Sequence, residues 1–301
     1  MLSVKTLAGG VVATAALALG VHQTAVVHVG SQPTGLAAGA GSLWSANSGA
    51  GTVSRISPAE RKVVATIKVG TAPSSVAFGG GAVWVGDFSA DALYRLDPAT
   101  NRVVATIPLE GPATGIARTP DGSVWVAEYG AGTVAHVDPA TNAVVGRATV
   151  GGKAEALAFG HGRLWVTNGG GYVTAVDPAS GKQVAKIRIG RDVDAVVATR
   201  DGLWVTTYYA GIVARIDPAR AKVVRRLRIP GTASGVTCAR GSVWVSDSSL
   251  GRVDRIDPRR ARITKSYAVG QTPRDLVQVG RGLWVVEQGS SDVRRIPLPK
   301  S

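Results

Sequence analysis

The chain has 301 residues, of which 45% are hydrophobic, and its formal net charge is +14. Its single cysteine, Cys238, excludes an internal disulfide. The sequence has no Gly-x-Ser-x-Gly, no P-loop and no zinc-ligand spacing, so it offers no motif for these classes of catalysis.

The first twenty residues resemble a secretory signal peptide. One positive charge, Lys5, precedes an apolar run from Leu7 to Leu19, and small residues lie near its end at Ala16, Ala18 and Gly20. The run is shorter than the ~20 residues that a transmembrane helix needs. We therefore predict a signal peptide over residues 1–20 and an exported protein, in the periplasm, at the cell surface or secreted. An uncleaved N-terminal membrane anchor is the alternative.

The rest of the chain is a repeat of about forty residues, marked by tryptophan. The seven tryptophans lie 39 to 41 residues apart, at Trp44, Trp84, Trp125, Trp165, Trp204, Trp244 and Trp284. Each unit holds four short apolar runs, separated by Gly, Asp-Pro or Ser/Thr clusters, which is the pattern of four strands and their turns. The period predicts an all-β fold, a single seven-bladed β-propeller over residues 25–301, with four antiparallel strands (a to d) in each blade.

The tryptophans are predicted to lie in the core between blades. Each is followed two positions later by a small residue, such as Ala46 or Gly86, except for Val286 in the last unit. A large ring beside a small residue suits packing between neighbouring blades. The Asp-Pro pairs, such as Asp97-Pro98, are predicted to form the c–d turns, where Asp bonds the backbone and Pro presets φ.

The last repeat lacks its fourth strand. It has runs for strands a, b and c, and then the chain ends in Pro297-Leu298-Pro299-Lys300-Ser301. An unpaired run at the other end, residues 25–30, matches strand d of the other repeats. We predict that this N-terminal strand completes blade seven and closes the ring.

The positive charge is concentrated in the second half. Residues 1–181 contain 11 Lys/Arg and 10 Asp/Glu, whereas residues 182–301 contain 23 and 10. The densest runs fall at c–d turns and d strands on the outer rim. This basic flank is either a solvated rim or a surface for an anionic polymer or cell-surface component. Nucleic acid is weakly supported because no aromatic residues alternate with the arginines. The candidate residues are Arg225, Arg226, Arg228, Arg259, Arg260 and Arg262.

Two series of polar residues are predicted to meet on the face of the ring where strand a begins and strand b ends. One lies three residues after each tryptophan, and its candidate ligand-binding members are Asn47, Asp87, Glu128, Asn168, Asp247 and Glu287. The other opens strand a and lines the channel, with candidates Glu155, Asp194 and Arg274. These residues either face water at strand ends or form a site. The carboxylates Asp87, Glu128, Glu155 and Asp194 occupy consecutive blades and would suit a cation or an amine. Arg274 would pair with Asp275 or hold an anionic group.

The run Leu164-Trp165-Val166-Thr167-Asn168, followed by Tyr172 to Pro178, resembles the YVTN-repeat (YncE-like) propellers, and this resemblance covers about residues 25–296. It implies an exported surface protein, often without known activity; some members are associated with DNA or act as sensor or scaffold modules. The chain is also similar to streptogramin lyase propellers, which use histidines, a glutamate and magnesium. Glu128 and Glu287 match that glutamate position, but no histidine lies nearby, so the lyase activity does not carry over.

The sequence therefore predicts an exported, non-enzymatic binding or scaffold module that is a monomer and needs no cofactor. The alternative is a metal-assisted lyase or hydrolase that uses the acidic residues at the channel face with a divalent cation. A protein partner is a further alternative to the anionic polymer.

Overall fold

The computed structural model describes residues 25–299, which form 28 strands in seven four-stranded antiparallel sheets. The predicted signal peptide, residues 1–20, lies outside this range, so export remains a prediction. Within residues 25–299 no helix is long and apolar enough to span a bilayer. The seven sheets confirm the predicted seven-bladed β-propeller.

The innermost strands, a, are β2 (Pro33–Gly39), β6 (Pro73–Gly79), β10 (Ala113–Arg118), β14 (Ala154–Gly160), β18 (Val193–Thr199), β22 (Ala233–Ala239) and β26 (Pro273–Val279). The b strands are β3 (Ser42–Asn47), β7 (Ala82–Asp87), β11 (Val124–Glu128), β15 (Arg163–Asn168), β19 (Gly202–Thr207), β23 (Ser242–Asp247) and β27 (Gly282–Glu287). The c strands are β4 (Thr52–Ser57), β8 (Ala92–Asp97), β12 (Thr133–Asp138), β16 (Tyr172–Asp177), β20 (Ile212–Asp217), β24 (Arg252–Asp257) and β28 (Asp292–Pro297). The outer strands, d, are β5 (Lys62–Lys68), β9 (Arg102–Pro108), β13 (Ala143–Thr149), β17 (Lys182–Arg188), β21 (Lys222–Arg228), β25 (Arg262–Ala268) and, in blade seven, β1 (Val26–His28).

The N-terminal strand closes the ring as predicted. Strand β1 pairs with β28 in the order β1-β28-β27-β26, with Val27 opposite Val293. Beyond the strand itself, the backbone N–H of Val29 donates to the carbonyl of Ser291 at 3.0 Å. Blade seven is thus built from both ends of the described chain, and the ring closes because the chain continues from β1 into strand β2 of blade one.

The core lies between blades, and the tryptophans form it. Trp165 of blade four packs against Val193 and Leu203 of blade five, and Trp284 of blade seven packs against Leu36 and Leu43 of blade one. All seven tryptophans are almost fully buried. Burying this much aromatic surface at each junction stabilises the ring as a whole, and it confirms the predicted role of the tryptophans.

Candidate functional site

The side chains three residues after each tryptophan are buried and hold turns together. Asp87, which is 0% exposed, accepts hydrogen bonds from the backbone N–H groups of Thr71, Ala72, Ser89 and Ala90. Its carboxylate therefore joins the loop that enters blade two to the b–c turn of the same blade. Because its oxygens are occupied by backbone donors, Asp87 does not line the opening of the channel.

The equivalent residues of the other blades also stabilise the turns of their own blades. Glu128 accepts from the backbone N–H of Glu110 and forms an ion pair with Arg147 at 3.0 Å. Glu287 accepts from the backbone N–H of Gly270 and pairs with Arg294. The remaining members, Asn47, Asn168 and Asp247, are likewise buried and bonded to neighbouring groups of their own blades.

The second series lies at a bulge that turns its side chains into the channel. In blade two, Pro73 is opposite Asp87 and Ser75 is opposite Gly86, so that Ser74 is an extra residue in strand a. A comparable register shift occurs at the start of strand a in every blade. A bulge re-aims the side chain that it carries, and bulges are common next to functional sites. The sequence reasoning found these residues by position but not the bulge that orients them.

In blades one to three this position binds the next blade. The hydroxyls of Thr34, Ser74 and Thr114 donate to the carbonyls of Ser74, Ala113 and Ala154, at 2.7 to 2.9 Å. In blades four and five the hydrogen bond to the next blade comes instead from the residue two positions after the tryptophan. Thr167 Oγ1 donates to the carbonyl of Asp194 at 2.6 Å, and Thr206 Oγ1 to that of Ser234 at 2.7 Å. The channel position of blades four and five is therefore free to carry Glu155 and Asp194.

Of the four carboxylates expected on this face, Glu155 and Asp194 line a common opening and Asp87 and Glu128 do not. The opening, which we call the mouth, is a cavity of about 480 Å³. Its polar and aromatic lining residues are Tyr129, Lys153, Glu155, Asp192, Asp194, Tyr208, Tyr209 and Arg274. A second cavity of about 260 Å³ continues from it into the channel and shares Asp194 and Arg274.

Arg274 lies at the mouth but does not pair with Asp275 as one sequence-based alternative held. Its Nε donates to Gln288 Oε1 at 2.9 Å, and its guanidinium lies 5.0 Å from the ring centre of Tyr208. Asp275 instead accepts hydrogen bonds from the backbone N–H groups of Leu36 and Leu276. The backbone donors of two blades occupy Asp275, which leaves Arg274 directed at the mouth.

The aromatic residues of the mouth were missed from the sequence. Tyr129 and Tyr208 lie four residues after a tryptophan, directly after the buried members of the first series. Lys153 Nζ lies 5.5 Å from the ring centre of Tyr129, and Tyr209 contacts Tyr208 edge-on at 4.9 Å. The alternation of a strand explains the difference, because neighbouring residues point in opposite directions.

Both carboxyl groups of the mouth are hard to ionise. Burial, and then the neighbouring charge of Asp194, raise the pKa of Glu155 to about 7. Burial raises the pKa of Asp194 to about 6, although the charge of Arg274 acts against this shift. Within residues 25–299 no hydrogen-bond donor contacts either carboxyl group, and no group of three or more His, Cys, Asp or Glu is placed to hold a metal ion.

The predicted basic flank is exposed and extends over two adjacent blades, five and six. Arg225, Arg226 and Arg228 lie on β21, whereas Arg259 and Arg260 lie in the c–d turn of blade six and Arg262 begins β25. Two of the six are engaged: Arg226 donates to the carbonyl of Ile189 at 2.6 Å, and Arg260 pairs with Asp257 at 3.1 Å.

Comparison with solved structures shows the fold and not the family. No protein-family model and no curated protein sequence matches the chain, so the YVTN-repeat resemblance is not confirmed. The chain is similar to hydrazine synthase of Kuenenia stuttgartiensis, with a TM-score of 0.80, 17% identity, and coverage of 90% of this chain and 97% of that one. It is similar to virginiamycin B lyase from Staphylococcus aureus, with a TM-score of 0.79, 15% identity, and coverage of 92% and 100%. A streptogramin B lyase gives a TM-score of 0.80, 14% identity, and coverage of 91% and 96%. The structural neighbours thus include streptogramin B lyase-like seven-bladed propellers.

Proposed function

We propose that this propeller is a binding protein whose mouth takes a small organic ligand with a positively charged amine. One observation carries the proposal: Glu155 and Asp194 line the same cavity, and within residues 25–299 neither carboxyl group accepts a hydrogen bond. Both side chains are half-buried, and withdrawing a polar group from water without a partner costs free energy, so this pair favours a ligand that supplies donors.

An ammonium group matches both the charge and the hydrogen bonding of this pair. The pKa of Glu155 is about 7 and that of Asp194 about 6 because burial penalises their charged forms. A cation placed between them would favour ionisation of both and would donate up to three hydrogen bonds. Binding is therefore expected to strengthen as the pH rises through these two values.

The lining favours an organic cation over a bare metal ion. Tyr129, Tyr208 and Tyr209 present aromatic surface at the mouth, and Tyr209 is 75% exposed. Aromatic rings attract organic ammonium groups and pack against the apolar part of a ligand. Calcium, in contrast, takes six to eight oxygen ligands, and the described residues offer no cluster of three acidic or histidine side chains.

The proposal is tested by calorimetric titration with benzylamine, using benzyl alcohol as the neutral control of the same shape. We expect saturable binding of benzylamine near pH 8 and at least about tenfold weaker binding near pH 5, where both carboxyl groups are protonated. Glu155→Gln and Asp194→Asn should each weaken binding by a similar factor. The matched control is Glu60→Gln, which neutralises an exposed carboxylate on the outer rim. Equal binding of benzyl alcohol, or full affinity in both mouth variants, would contradict the proposal.

A metal-assisted lyase or hydrolase is the competing function. It is supported by the pKa of about 7 of Glu155, because a carboxyl group that titrates near neutrality suits general acid–base catalysis. The same titration with magnesium chloride in place of benzylamine distinguishes the enzyme from the amine-binding protein. Saturable magnesium binding that is lost in Asp194→Asn would favour the enzyme.

The basic flank is a second candidate binding surface, for an anionic polymer. Arg215 lies directly opposite Arg225, and Arg255 lies directly opposite Lys265. The positions equivalent to Arg225 and Lys265 in blades one to four are Ala65, Ala105, Gly146 and Ala185. Like charges in direct cross-strand pairs destabilise a sheet, so two such pairs indicate a role in binding rather than in folding.

Heparin affinity chromatography at increasing salt tests this surface. We expect retention that falls steeply with salt and that is lost in Arg225→Glu/Arg259→Glu. Both arginines are exposed, and among the described residues neither makes a side-chain bond like those of Arg226 to Ile189 and Arg260 to Asp257. The comparison is Arg61→Glu/Arg102→Glu, which places the same charge change on blades one and two. Equal loss in both double variants would indicate net charge alone.

A further inference from the structure

A cavity of about 390 Å³ lies between blades five and six, on the face of the ring that carries the a–b and c–d turns. This face is opposite the mouth, so the cavity is separate from the site described above. We propose that this five–six cavity binds a small organic anion, with its carboxylate or phosphate on three arginines and its apolar part against Trp204.

The cavity is open because the arginine that bridges the junction between other blades has no side-chain acceptor at this junction. Arg55 of blade one donates to the carbonyl of Pro98 and to Asn101 Oδ1 in the next blade, at 2.7 and 2.9 Å. Arg95 of blade two makes the same two bonds to Pro139 and Asn142. These contacts span the junction between blades and close it.

The equivalent residue of blade five, Arg215, makes no such bridge. The position that corresponds to Asn101 and Asn142 is Ala261 in blade six, which has no side-chain acceptor. Arg215 instead turns back to its own blade and donates through Nη2 to the carbonyl of Asp201 at 2.7 Å. The junction between blades five and six therefore stays open, with a guanidinium in its wall.

Trp204 supplies an indole N–H that the described residues leave without an acceptor. Four of the other tryptophans, Trp44, Trp84, Trp165 and Trp244, donate through Nε1 to the carbonyl five residues earlier. In blade five that carbonyl belongs to Thr199, which accepts from His161 Nε2 at 2.9 Å instead. Trp204 is 2% exposed, it lines the cavity, and among residues 25–299 nothing accepts its indole N–H. The indole N–H therefore lies unbonded at the wall of the cavity, where a bound ligand would change its surroundings.

The charges of the lining favour an anion. Arg200, Arg215 and Arg259 face one carboxylate, that of Asp201, and the described chain places no ion pair on any of the three arginines. Cys238, Val243 and Pro258 form the apolar part of the wall. Burial raises the pKa of the Cys238 thiol to about 12, so it is neutral and adds no negative charge. Arginine guanidinium groups bind carboxylate and phosphate through charge-assisted hydrogen bonds.

The test follows the indole N–H resonances of the ¹⁵N-labelled protein, with Trp204 assigned from Trp204→Phe. The probes are phenyl phosphate and benzoate, with benzyl alcohol as the neutral control and inorganic phosphate as the control without an apolar group. We expect phenyl phosphate or benzoate to shift the Trp204 resonance saturably, and the tighter of the two identifies the anionic group. Saturation by inorganic phosphate at the same concentration, or by benzyl alcohol, would overturn the proposal.

Two variants and one control make the test specific. Ala261→Asn restores the acceptor found in blades two and three without changing the charge, so Arg215 should bridge the junction and affinity should fall at least about tenfold. The exchange is sterically mild, because Ala261 has a φ of 48° and Asn101 a φ of 57° at the same turn position. Arg200→Ala/Arg259→Ala should weaken binding to the same extent. Arg281→Ala, at the a–b turn of blade seven, should not. Full affinity in Ala261→Asn, or an equal loss in Arg281→Ala, would contradict the proposal.

Discussion

At the scale of single residues, a glycine before strand a makes room for the buried side chain that holds the turns in blades one, two, four, six and seven. A Cβ atom on Gly231 would lie 2.0 Å from Asp247 Oδ1, and one on Gly70 would lie 2.1 Å from Asp87 Oδ2. Neither glycine has the positive φ that favours glycine, so space alone explains them. These glycines thus act together with the polar residue three positions after the tryptophan.

We expect Gly231→Ala to lower the free energy of unfolding by about 1–3 kcal/mol, because Asp247 cannot move without losing its backbone donors. Urea unfolding measures the change. Gly146→Ala is the matched control, since a Cβ there meets nothing within 4 Å, and we expect it to be neutral or slightly stabilising. Equal destabilisation by the two substitutions would show that the close approach to Asp247 is not the cause.

The raised pKa of Asp194 predicts how stability depends on pH. The folded protein holds this proton up to about pH 6, whereas the ordinary value is 3.8. Its contribution to stability is therefore fully present below pH 3.8 and is lost as the pH rises through about 6. Asp194→Asn removes this loss and should raise the free energy of unfolding near pH 8 by about 1–3 kcal/mol, with little effect near pH 4.

Asp97→Asn should change stability with the opposite dependence on pH. Hydrogen bonds from the Ala99 backbone and the Thr100 hydroxyl hold the pKa of Asp97 below its usual range. Its contribution is present above the ordinary pKa and is lost as the pH falls through the lower folded value, so Asp97→Asn should destabilise near pH 8 more than near pH 3. Urea unfolding at these pH values measures both variants. If Asp194→Asn had the same effect near pH 4 and near pH 8, the carboxyl group would not titrate as described.

The sequence located both polar series but did not show that the side chains of the first are buried. Three residues after the tryptophan, the side chain points into the blade, and one residue later Tyr129 or Tyr208 points out. A one-residue step reverses the direction of a side chain on a strand, and the pattern of polarity alone does not show where strand b ends. The free carboxylates of blades four and five depend on which hydroxyl bonds the next blade, a contact between residues about 27 positions apart that no local pattern contains.

At the scale of elements, the short strand β1 has a large effect on the stability of blade seven. It has three residues, yet with the bonds of Val29 to Ser291 and of Ala25 to Arg295 it supplies the whole outer strand of blade seven. Val27, which is 4% exposed, packs in the same core cluster as Trp284 and Leu43. Without it, β28 would become an exposed edge and the junction of blades seven and one would lose part of its core.

A chain that begins at residue 31 should melt well below one that begins at residue 25. Losing a Val side chain from the core and the pairing of β28 should cost about 3 kcal/mol or more. For a domain of this size, a few kcal/mol lowers the melting temperature by several degrees. Differential scanning calorimetry of the two chains measures the difference, and the chain from residue 25 is the control for removal of the N-terminal segment. Identical melting curves would show that blade seven does not need its fourth strand.

The positions of the strands could be predicted closely from the sequence because the same pattern recurs in each repeat. Seven copies of a tryptophan-centred strand and of an Asp-Pro turn average out local ambiguity, and the missing fourth run of the last repeat identifies β1 as its partner. The junctions between blades do not follow in the same way. Whether Arg215 bridges to blade six depends on Ala261, a residue 46 positions later in a different turn, and the alignment of the repeats gives no reason to pair these two positions.

At the scale of the whole molecule, the ring separates its two cavities by the length of one strand. Strand β18 carries Asp194 at the mouth and ends at Thr199 beside the five–six cavity. Five residues of extended chain span roughly 17 Å, which is about twice the Debye length at physiological ionic strength. The strand is paired with β19 on one side and lines the channel on the other.

The two proposed ligands should therefore bind independently. A cation at Glu155 and Asp194 and an anion at Arg215 attract each other only weakly across this screened distance. Saturating the mouth with benzylamine should change the affinity of the five–six cavity for phenyl phosphate by less than about twofold, measured from the Trp204 indole resonance. The titration is repeated with Asp194→Asn, in which the mouth is empty of ligand and the fold is the same. A change of about fivefold or more in the wild-type protein, absent from the variant, would mean that β18 shifts as a unit and that the propeller couples its two faces.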